Sequence, residues 1–198
     1  GSSNNKALEI YNATGADLDL SDIRVELYAN GATTPGNQQV LSGTLANDDV
    51  YVIANAAAAP EILAVADITS TVTYFNGDDA LVLRRISTDA VLDSIGQVGH
   101  RPSNPAYWGS GDVRTADRTI VRMPDICSGD TDPFDVYDPV PEWLGYPVDT
   151  FIYLGSHTSN CFGPAPTGPT VESIVPASGA NVPKTTDITI TFSEAVTV

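Results

Sequence analysis

Apolar and polar side chains alternate in two early segments of the chain. Leu8 and Ile10 share one face of the first segment, and the second segment, 23–28, has its apolar residues at every other position. Side chains of a β-strand point alternately to its two faces, so this period predicts two half-buried strands. The polar stretch 12–17 between them contains Gly15 and predicts a turn.

The same alternation recurs further along and predicts a chain made mostly of β-strands. The segments 38–42 and 49–55 flank a turn at 43–48, so we expect them to form a hairpin. The other predicted strands are 72–75, 79–86, 90–95 and 118–123.

Proline, glycine and alanine mark the segments between these strands. One short helix is predicted within 56–67, where Pro60 suits a first helical turn. Prolines and glycines predict a loop at 99–117 and irregular structure from 124 to 162.

The composition changes after residue 162. Residues 163–169 read GPAPTGP, which is typical of an interdomain linker. In 170–198 a strand, a Pro-x-x-Gly turn, a Val-Pro step and a second alternating strand resemble the truncated start of a bacterial immunoglobulin-like (Ig-like) domain. A pair of strands alone is marginally stable, so we expect 170–198 to be mobile or held against another surface. Ile188, Ile190 and Phe192 form an apolar stripe that could add to an open sheet edge.

Four sequence stretches resemble the lamin tail domain in its bacterial form, where they recur in secreted nucleases. They are GSSNNK, ALEIYN, FNGDDALVL and DSIGQVG, at 1–6, 7–12, 75–83 and 93–99. The resemblance covers most of residues 1–162 and implies an Ig-like β-sandwich. In the bacterial relatives a short strand precedes GSSNNK. Without it we expect an open sheet edge that could exchange a strand with another copy of the chain.

The resemblance also implies a function. It indicates a non-catalytic accessory module of a larger secreted or cell-surface bacterial protein, an extracellular nuclease or phosphoesterase. Such a module would contact neighbouring domains, the cell surface or, through the parent protein, nucleic acid. The formal charge of −16 repels phosphate, so the surface as a whole is a poor candidate for binding nucleic acid alone. No apolar run approaches the roughly 20 residues of a membrane span.

Cys127 and Cys161 lie in stretches rich in serine, glycine and asparagine. They could be two unrelated thiols. An acidic, mostly β chain rich in glycine and proline has an exported character, however, and favours a disulfide between them. The bond would clamp the irregular segment 128–160 to the sandwich.

Two other classes of function remain open, a hydrolytic enzyme and a calcium-dependent adhesion module. The only histidines, His100 and His157, lie in no recognisable catalytic motif. For calcium, closely spaced carboxylates offer hard oxygen ligands, although the central glycine and terminal glutamate of a helix-loop-helix site are missing. The alternative is an acidic loop whose aspartates cap turns. The carboxylates belong to Asp130, Asp132, Asp135 and Asp138.

A group of arginine and aromatic residues between 101 and 122 is the candidate binding site. Arginine and aromatic side chains together can stack on a base or a sugar, or bind a phosphate. The alternative is that the arginines pair with the neighbouring Asp112, Asp117 and Asp125. The candidate residues are Arg101, Tyr107, Trp108, Arg114, Arg118 and Arg122.

Overall fold

The structure is a computed structural model that describes residues 1–161, 171–176, 183, 187 and 189–192. Contacts divide the chain into two compact units, Gly1–Phe162 and Gly163–Val198. The division falls where the predicted linker begins. The assignment of the two units to a lamin tail domain and an Ig-like domain stays a prediction, and residues 163–169 lie outside the described part.

The first unit is built from short β-strands with three 3₁₀ turns and one helix, α1 (Pro60–Leu63). The 3₁₀ turns are Leu20–Asp22, Ala29–Gly31 and Thr71–Thr73. In chain order the strands are β1 (Ala7–Tyr11), β2 (Leu18–Asp19), β3 (Ile23–Tyr28), β4 (Asn37–Val40), β5 (Thr44–Leu45), β6 (Val50–Ala54), β7 (Ile68–Thr69), β8 (Ala80–Arg85), β9 (Val91–Ile95), β10 (Gly109–Ser110), β11 (Val113–Arg114), β12 (Thr119–Arg122) and β13 (Trp143–Tyr146).

Two sheets carry the fold. One has the strand order β1-β6-β7, and the other has the order β4-β3-β8-β9. Their pairs are antiparallel except β6 with β7, which is parallel. The pairs β2-β5, β10-β11 and β12-β13 form separate two-stranded ribbons. The prediction of an all-β, sandwich-like fold is therefore confirmed.

The main core is formed by residues from both sheets. Ile23, Val25 and Leu27 of β3 are buried, as their alternation predicts, and they belong to the same apolar cluster as Ile53 of β6. Leu20, in the 3₁₀ turn that connects β2 to β3, is also buried. The period-2 pattern of the sequence thus identifies the inner face of the sheet correctly.

The other face of β3 is not the exposed polar face that half-burial predicts. Glu26 is only 2% exposed and Tyr28 is 7% exposed. Glu26 accepts a 2.8 Å hydrogen bond from the Tyr28 hydroxyl and forms ion pairs with Arg24 at 2.6 Å and Arg84 at 3.2 Å. Burial alone would raise the pKa of Glu26, but these donors lower it below its ordinary value.

The hairpin predicted for 38–42 and 49–55 is wrong. Both segments are strands, but β4 pairs with β3 whereas β6 pairs with β1, so they lie in different sheets. The chain crosses between the sheets through β5, which pairs with β2. Both segments were correctly predicted to be strands, but their pairing was predicted incorrectly. A short polar stretch between two strands can be a hairpin turn, and it can equally be a crossover to another sheet.

Three other segments also differ from prediction. The segment 72–75 forms the 3₁₀ turn Thr71–Thr73, because the Ser70 side chain accepts a hydrogen bond from the Val72 N–H and caps it. The predicted loop 99–117 contains the ribbon β10-β11. The predicted irregular segment 124–162 contains β13, which pairs with β12.

Two local predictions are confirmed. Pro60 occupies the first turn of α1, whose Ile62 is buried against Ala54 and Ala58. Cys127 and Cys161 form a disulfide with a Cα–Cα separation of 5.2 Å. This bond ties the end of the first unit to the segment that follows β12, as the sequence predicts.

In the second unit, β14 (Val171–Val175) pairs antiparallel with β15 (Thr189–Phe192). Residues 177–182 and Ile188, on which the predicted turn and apolar stripe partly depend, lie outside the described part. The prediction that 170–198 is mobile or held against another surface stays a prediction. No helix in the described part of the chain is long and apolar enough to cross a membrane.

Candidate functional site

A cleft of about 550 Å³ opens between the two sheets of the first unit. Its apolar walls include Leu8 and Ile10 of β1, Leu83 of β8 and Ile95 of β9. These four side chains pack against the main core and yet remain partly exposed, because they face the cleft. The volume lies within the range typical of ligand-binding pockets.

One border of the cleft is the edge strand β1, which pairs only with β6 among the strands that the structure describes. The flanking bonds, from Asn12 N–H to the Asp49 carbonyl and from Asn55 N–H to the Lys6 carbonyl, fix which peptide groups face β6. In an antiparallel ladder these alternate along the strand. The N–H and C=O groups of Ala7, Glu9 and Tyr11 therefore point away from β6, and they have no hydrogen-bond partner among the described residues.

A second border of the cleft is strand β12, whose only partner within the described ranges is β13. The bond from Met123 N–H to the Glu142 carbonyl continues this ladder and fixes its alternation. The peptide groups of Ile120 and Arg122 consequently face away from β13, again without a partner in the part of the chain that is described. All residues of β1 and of β12 line the cleft, so two unpaired strand edges border one cavity.

Charged groups at the border of the cleft are held by local contacts. Lys6 donates a hydrogen bond to the Phe75 carbonyl, and its ammonium nitrogen lies 5.9 Å from the centre of the Phe75 ring. Glu9 accepts a 2.6 Å hydrogen bond from Gly155 N–H, which attaches the end of the chain's irregular segment to β1. Burial raises the pKa of the Glu9 carboxyl, and the Gly155 N–H partly offsets this effect.

Asp93 and Arg122 form an ion pair of 3.0 Å on the cleft wall. The Arg122 guanidinium also lies 4.6 Å from the centre of the Trp143 ring. Burial raises the pKa of Asp93, although Arg122 acts in the opposite direction. The pair anchors β12 to the edge strand β9 and so helps to fix the width of the cleft.

His157 also lines the cleft, whereas His100 is exposed elsewhere on the unit. The His157 ring contacts the Tyr11 ring edge-on, with 4.9 Å between the ring centres. Burial, with a further contribution from the charge of Arg122, lowers the pKa of His157. Its imidazole therefore acts as an aromatic packing partner at neutral pH.

The structure does not gather the six predicted binding residues into one surface. Only Arg118 and Arg122 line the cleft. Arg118 pairs with Asp112 at 3.3 Å, as the alternative interpretation expects. Arg101 pairs instead with the buried Asp78 at 2.7 Å.

The other three predicted binding residues pack locally. Trp108 is buried edge-on against Tyr137, with 6.1 Å between ring centres. The Arg114 guanidinium lies 5.3 Å from the centre of the Tyr107 ring. Nucleic-acid or sugar recognition by these residues stays a prediction.

The predicted calcium ligands lie in a loop where they accept backbone hydrogen bonds. Asp130 accepts from Asp132 N–H at 3.0 Å, Asp132 from Phe134 N–H at 3.1 Å and Asp138 from Val140 N–H at 3.1 Å. Burial and the neighbouring charges of Asp130 and Asp132 raise the pKa of Asp135. Among the described residues no group of three or more His, Cys, Asp or Glu side chains is placed to hold a metal ion.

Sequence reasoning missed the features that define the cleft. The alternation in β1 indicates which side chains are buried, but the edge position of the strand depends on its partners. Strand β13 pairs with β12 and so determines which edge of β12 remains available. It was missed because it lies in a segment rich in prolines and glycines.

Comparisons with protein-family models, with curated proteins and with solved structures give no match. The resemblance to lamin tail domains therefore stays a prediction based on the four sequence stretches.

Proposed function

We propose that this chain is a non-catalytic binding module of a larger exported protein and that it binds through the cleft. The observation that carries the proposal is that two strand edges without a partner among the described residues border one largely apolar cavity. Buried apolar walls supply binding free energy, and convergent polar groups supply orientation. The polar groups available here are the peptide groups of β1 and β12 that have no partner in the part of the chain that the structure describes.

The construction of the walls supports a binding role. The disulfide closes the chain around the segment that contains β13, and the Asp93–Arg122 ion pair joins β12 to β9. Rigid walls reduce the entropy that is lost when a partner binds. The charged side chains on the walls are engaged in contacts that hold the structure together, which leaves the apolar surface and the peptide edges for recognition.

The larger protein is proposed from the sequence resemblance. Bacterial lamin tail domains occur in secreted nucleases, so we infer an extracellular bacterial nuclease or phosphoesterase as the parent, with this chain as its accessory module. The disulfide is compatible with an extracellular protein.

Accessibility of the cleft can be tested with the apolar dye 1-anilinonaphthalene-8-sulfonate. We expect saturable fluorescence with the folded chain, weakened at least fivefold in Leu92→Lys, whose side chain lines the cleft. The matched control is Ile86→Lys, because Ile86 is a partly exposed apolar residue outside the cleft. Equal dye binding by the two variants would show that the cleft is not the binding surface.

A further inference from the structure

A second pocket of the first unit, of about 300 Å³, lies beside the end of β6. This volume is at the lower end of the range for ligand pockets, so the pocket suits a small ligand. One aromatic side chain, three neutral polar side chains and one ammonium group line it. They belong to Tyr74, Ser3, Asn4, Asn55 and Lys6. Of these five only Lys6 also lines the cleft, so the two cavities can be tested independently.

Asn55 directs an amide group into this pocket from a fixed and mostly buried position. The residue is 6% exposed, and its side-chain oxygen accepts a 2.9 Å hydrogen bond from Ala57 N–H. Because a backbone N–H can only donate, this bond holds the oxygen towards Ala57 and leaves the NH₂ group pointing the other way. The NH₂ group has no acceptor among the described residues, and it is not one of their fully buried unpaired atoms. It therefore reaches the surface at the pocket that Asn55 lines, as a donor fixed in place.

The turn that carries Ser3 and Asn4 is held by backbone hydrogen bonds. Asn5 N–H donates to the Ser2 carbonyl at 2.8 Å, and Lys6 N–H donates to the Asn4 carbonyl at 2.7 Å. Ser3 has a φ of 48°, in the left-handed region that serine rarely adopts. The side chains of Ser3 and Asn4 are exposed and make no hydrogen bond within the described ranges. A hydroxyl and an amide are thus available at the rim of the pocket.

Tyr74 supplies the apolar surface of the pocket. It is 61% exposed, although its backbone is fixed by a 3.1 Å hydrogen bond from its N–H to the Thr71 carbonyl. The preceding residue, Thr73, is fully buried in the 3₁₀ turn Thr71–Thr73. The ring is therefore presented on a firm base, where either a flat apolar ligand or water can cover it.

The charge and chemistry of the lining decide which class of ligand fits. None of the five residues is a carboxylate, a histidine or a cysteine, so the pocket lacks the usual ligands of a metal ion. Lys6 is the only cation among them, and its ammonium group donates to the Phe75 carbonyl. The formal charge of −16 repels anionic ligands. A neutral ligand with hydroxyl groups at its rim and C–H groups on its face matches this lining, and a pyranose ring has that construction.

We propose that this pocket binds one neutral hexose ring, which stacks on Tyr74 and forms hydrogen bonds with Asn4 and Asn55. The NH₂ group of Asn55 donates to one hydroxyl, and the Asn4 amide can donate to one hydroxyl and accept from its neighbour. The site is separate from the cleft and goes beyond the binding function proposed above. Through it the chain would attach an exported protein to a sugar.

The probes are the methyl glycosides of glucose, galactose, mannose and N-acetylglucosamine, titrated into the full chain and followed by amide chemical shifts. At least one should bind saturably with a Kd of about 1 mM, as expected for a ligand with so few atoms. The amide signals of Asn4, Asn55 and Tyr74 should shift. The matching oligosaccharides distinguish two sources of the sugar. Equal or tighter binding of an oligosaccharide would identify a polysaccharide, whereas binding of the methyl glycoside alone would identify a free sugar.

Variants of the lining residues test the named contacts. Tyr74→Ala should weaken sugar binding at least tenfold, whereas Tyr74→Phe, which keeps the ring, should stay within twofold of the wild type. Asn55→Asp keeps an oxygen for Ala57 N–H but loses the donor, so it should also weaken binding at least tenfold. Asn4→Ala, at an exposed position, replaces that test if Asn55→Asp does not fold. The control is Phe134→Ala, which removes an exposed aromatic side chain outside both cavities and should leave binding unchanged.

Two outcomes would overturn the inference. The first is no saturable shift with any of the four glycosides at roughly 20 mM, where a site with the expected Kd would be almost fully occupied. The second is equal sugar binding by the wild type and Tyr74→Ala, which would place the sugar elsewhere on the chain. Tyr74→Ala should still bind the apolar dye in the cleft as the wild type does, so failure of the sugar site leaves the proposed binding function standing.

Discussion

Removal of the Cys127–Cys161 disulfide should lower the stability of the first unit strongly. The bond joins residues 34 positions apart and closes the segment that supplies β13 to the cleft wall. A cross-link restricts the unfolded chain, and in the chain-entropy treatment a loop of this length contributes about 4 kcal/mol at 25 °C. The double variant Cys127→Ala/Cys161→Ala should lose a free energy of unfolding of that order.

The corresponding change in melting temperature follows from the size of the unit. The first unit has 162 residues, and its unfolding entropy is about 340 cal/mol/K at roughly 2.1 cal/mol/K per residue. Dividing the lost free energy by this entropy gives a fall in Tm of about 12 °C. Since both sulfur atoms are removed, the shift does not depend on the redox state of the solution.

Thermal unfolding followed by circular dichroism measures this shift directly. The wild type in a strong reductant should melt close to the double variant, whereas Ser128→Ala should melt close to the oxidised wild type. A fall in Tm of less than about 3 °C in the double variant would refute the reasoning, because the segment would then be held by its other contacts alone.

Three other perturbations address the buried charges and the alternative functions. Glu26→Ala should lower the free energy of unfolding, measured with urea, by about 3 kcal/mol, because Arg84 would lose a buried partner. Since folding lowers the Glu26 pKa, its contribution is complete at neutral pH and is lost as the pH falls through the folded pKa. Added Ca²⁺ should leave the Tm unchanged, because backbone N–H groups already engage the loop carboxylates. A Ca²⁺-dependent rise that disappears in Asp132→Ala would favour the adhesion module. Incubation with DNA and Mg²⁺ or Ca²⁺ should give no cleavage, and cleavage lost in His100→Ala or His157→Ala would establish an enzyme.

The sequence predicted the elements of the fold better than their partners. The alternation at Ile23, Val25 and Leu27 identified the inner face of β3, because side-chain period depends only on local geometry. The predicted pairing of 38–42 with 49–55 was wrong, because the packing between the two sheets decides which strands pair. The short strand β13 was missed because four residues beside prolines and glycines give little periodic signal.

The candidate site was even less visible in the sequence. Arginines and aromatic residues close together in the chain suggested one binding surface, but Arg101 pairs with Asp78 and Trp108 is buried. A charged side chain pairs with a suitable partner that lies close in space. For Arg101 this partner is Asp78, which lies far from it in the sequence. The disulfide was predictable, since only two cysteines exist and the composition favoured an oxidising environment.

Hydrogen exchange of the β1 amides tests the open-edge cleft most directly. In the free protein, the amides of Leu8 and Ile10 should be protected by β6, whereas those of Ala7, Glu9 and Tyr11 should exchange at least a hundredfold faster. This alternation, measured residue by residue by NMR, is the result that the account predicts. Equal protection of all five amides in the monomeric chain would contradict it, because the edge of β1 would then already have a partner.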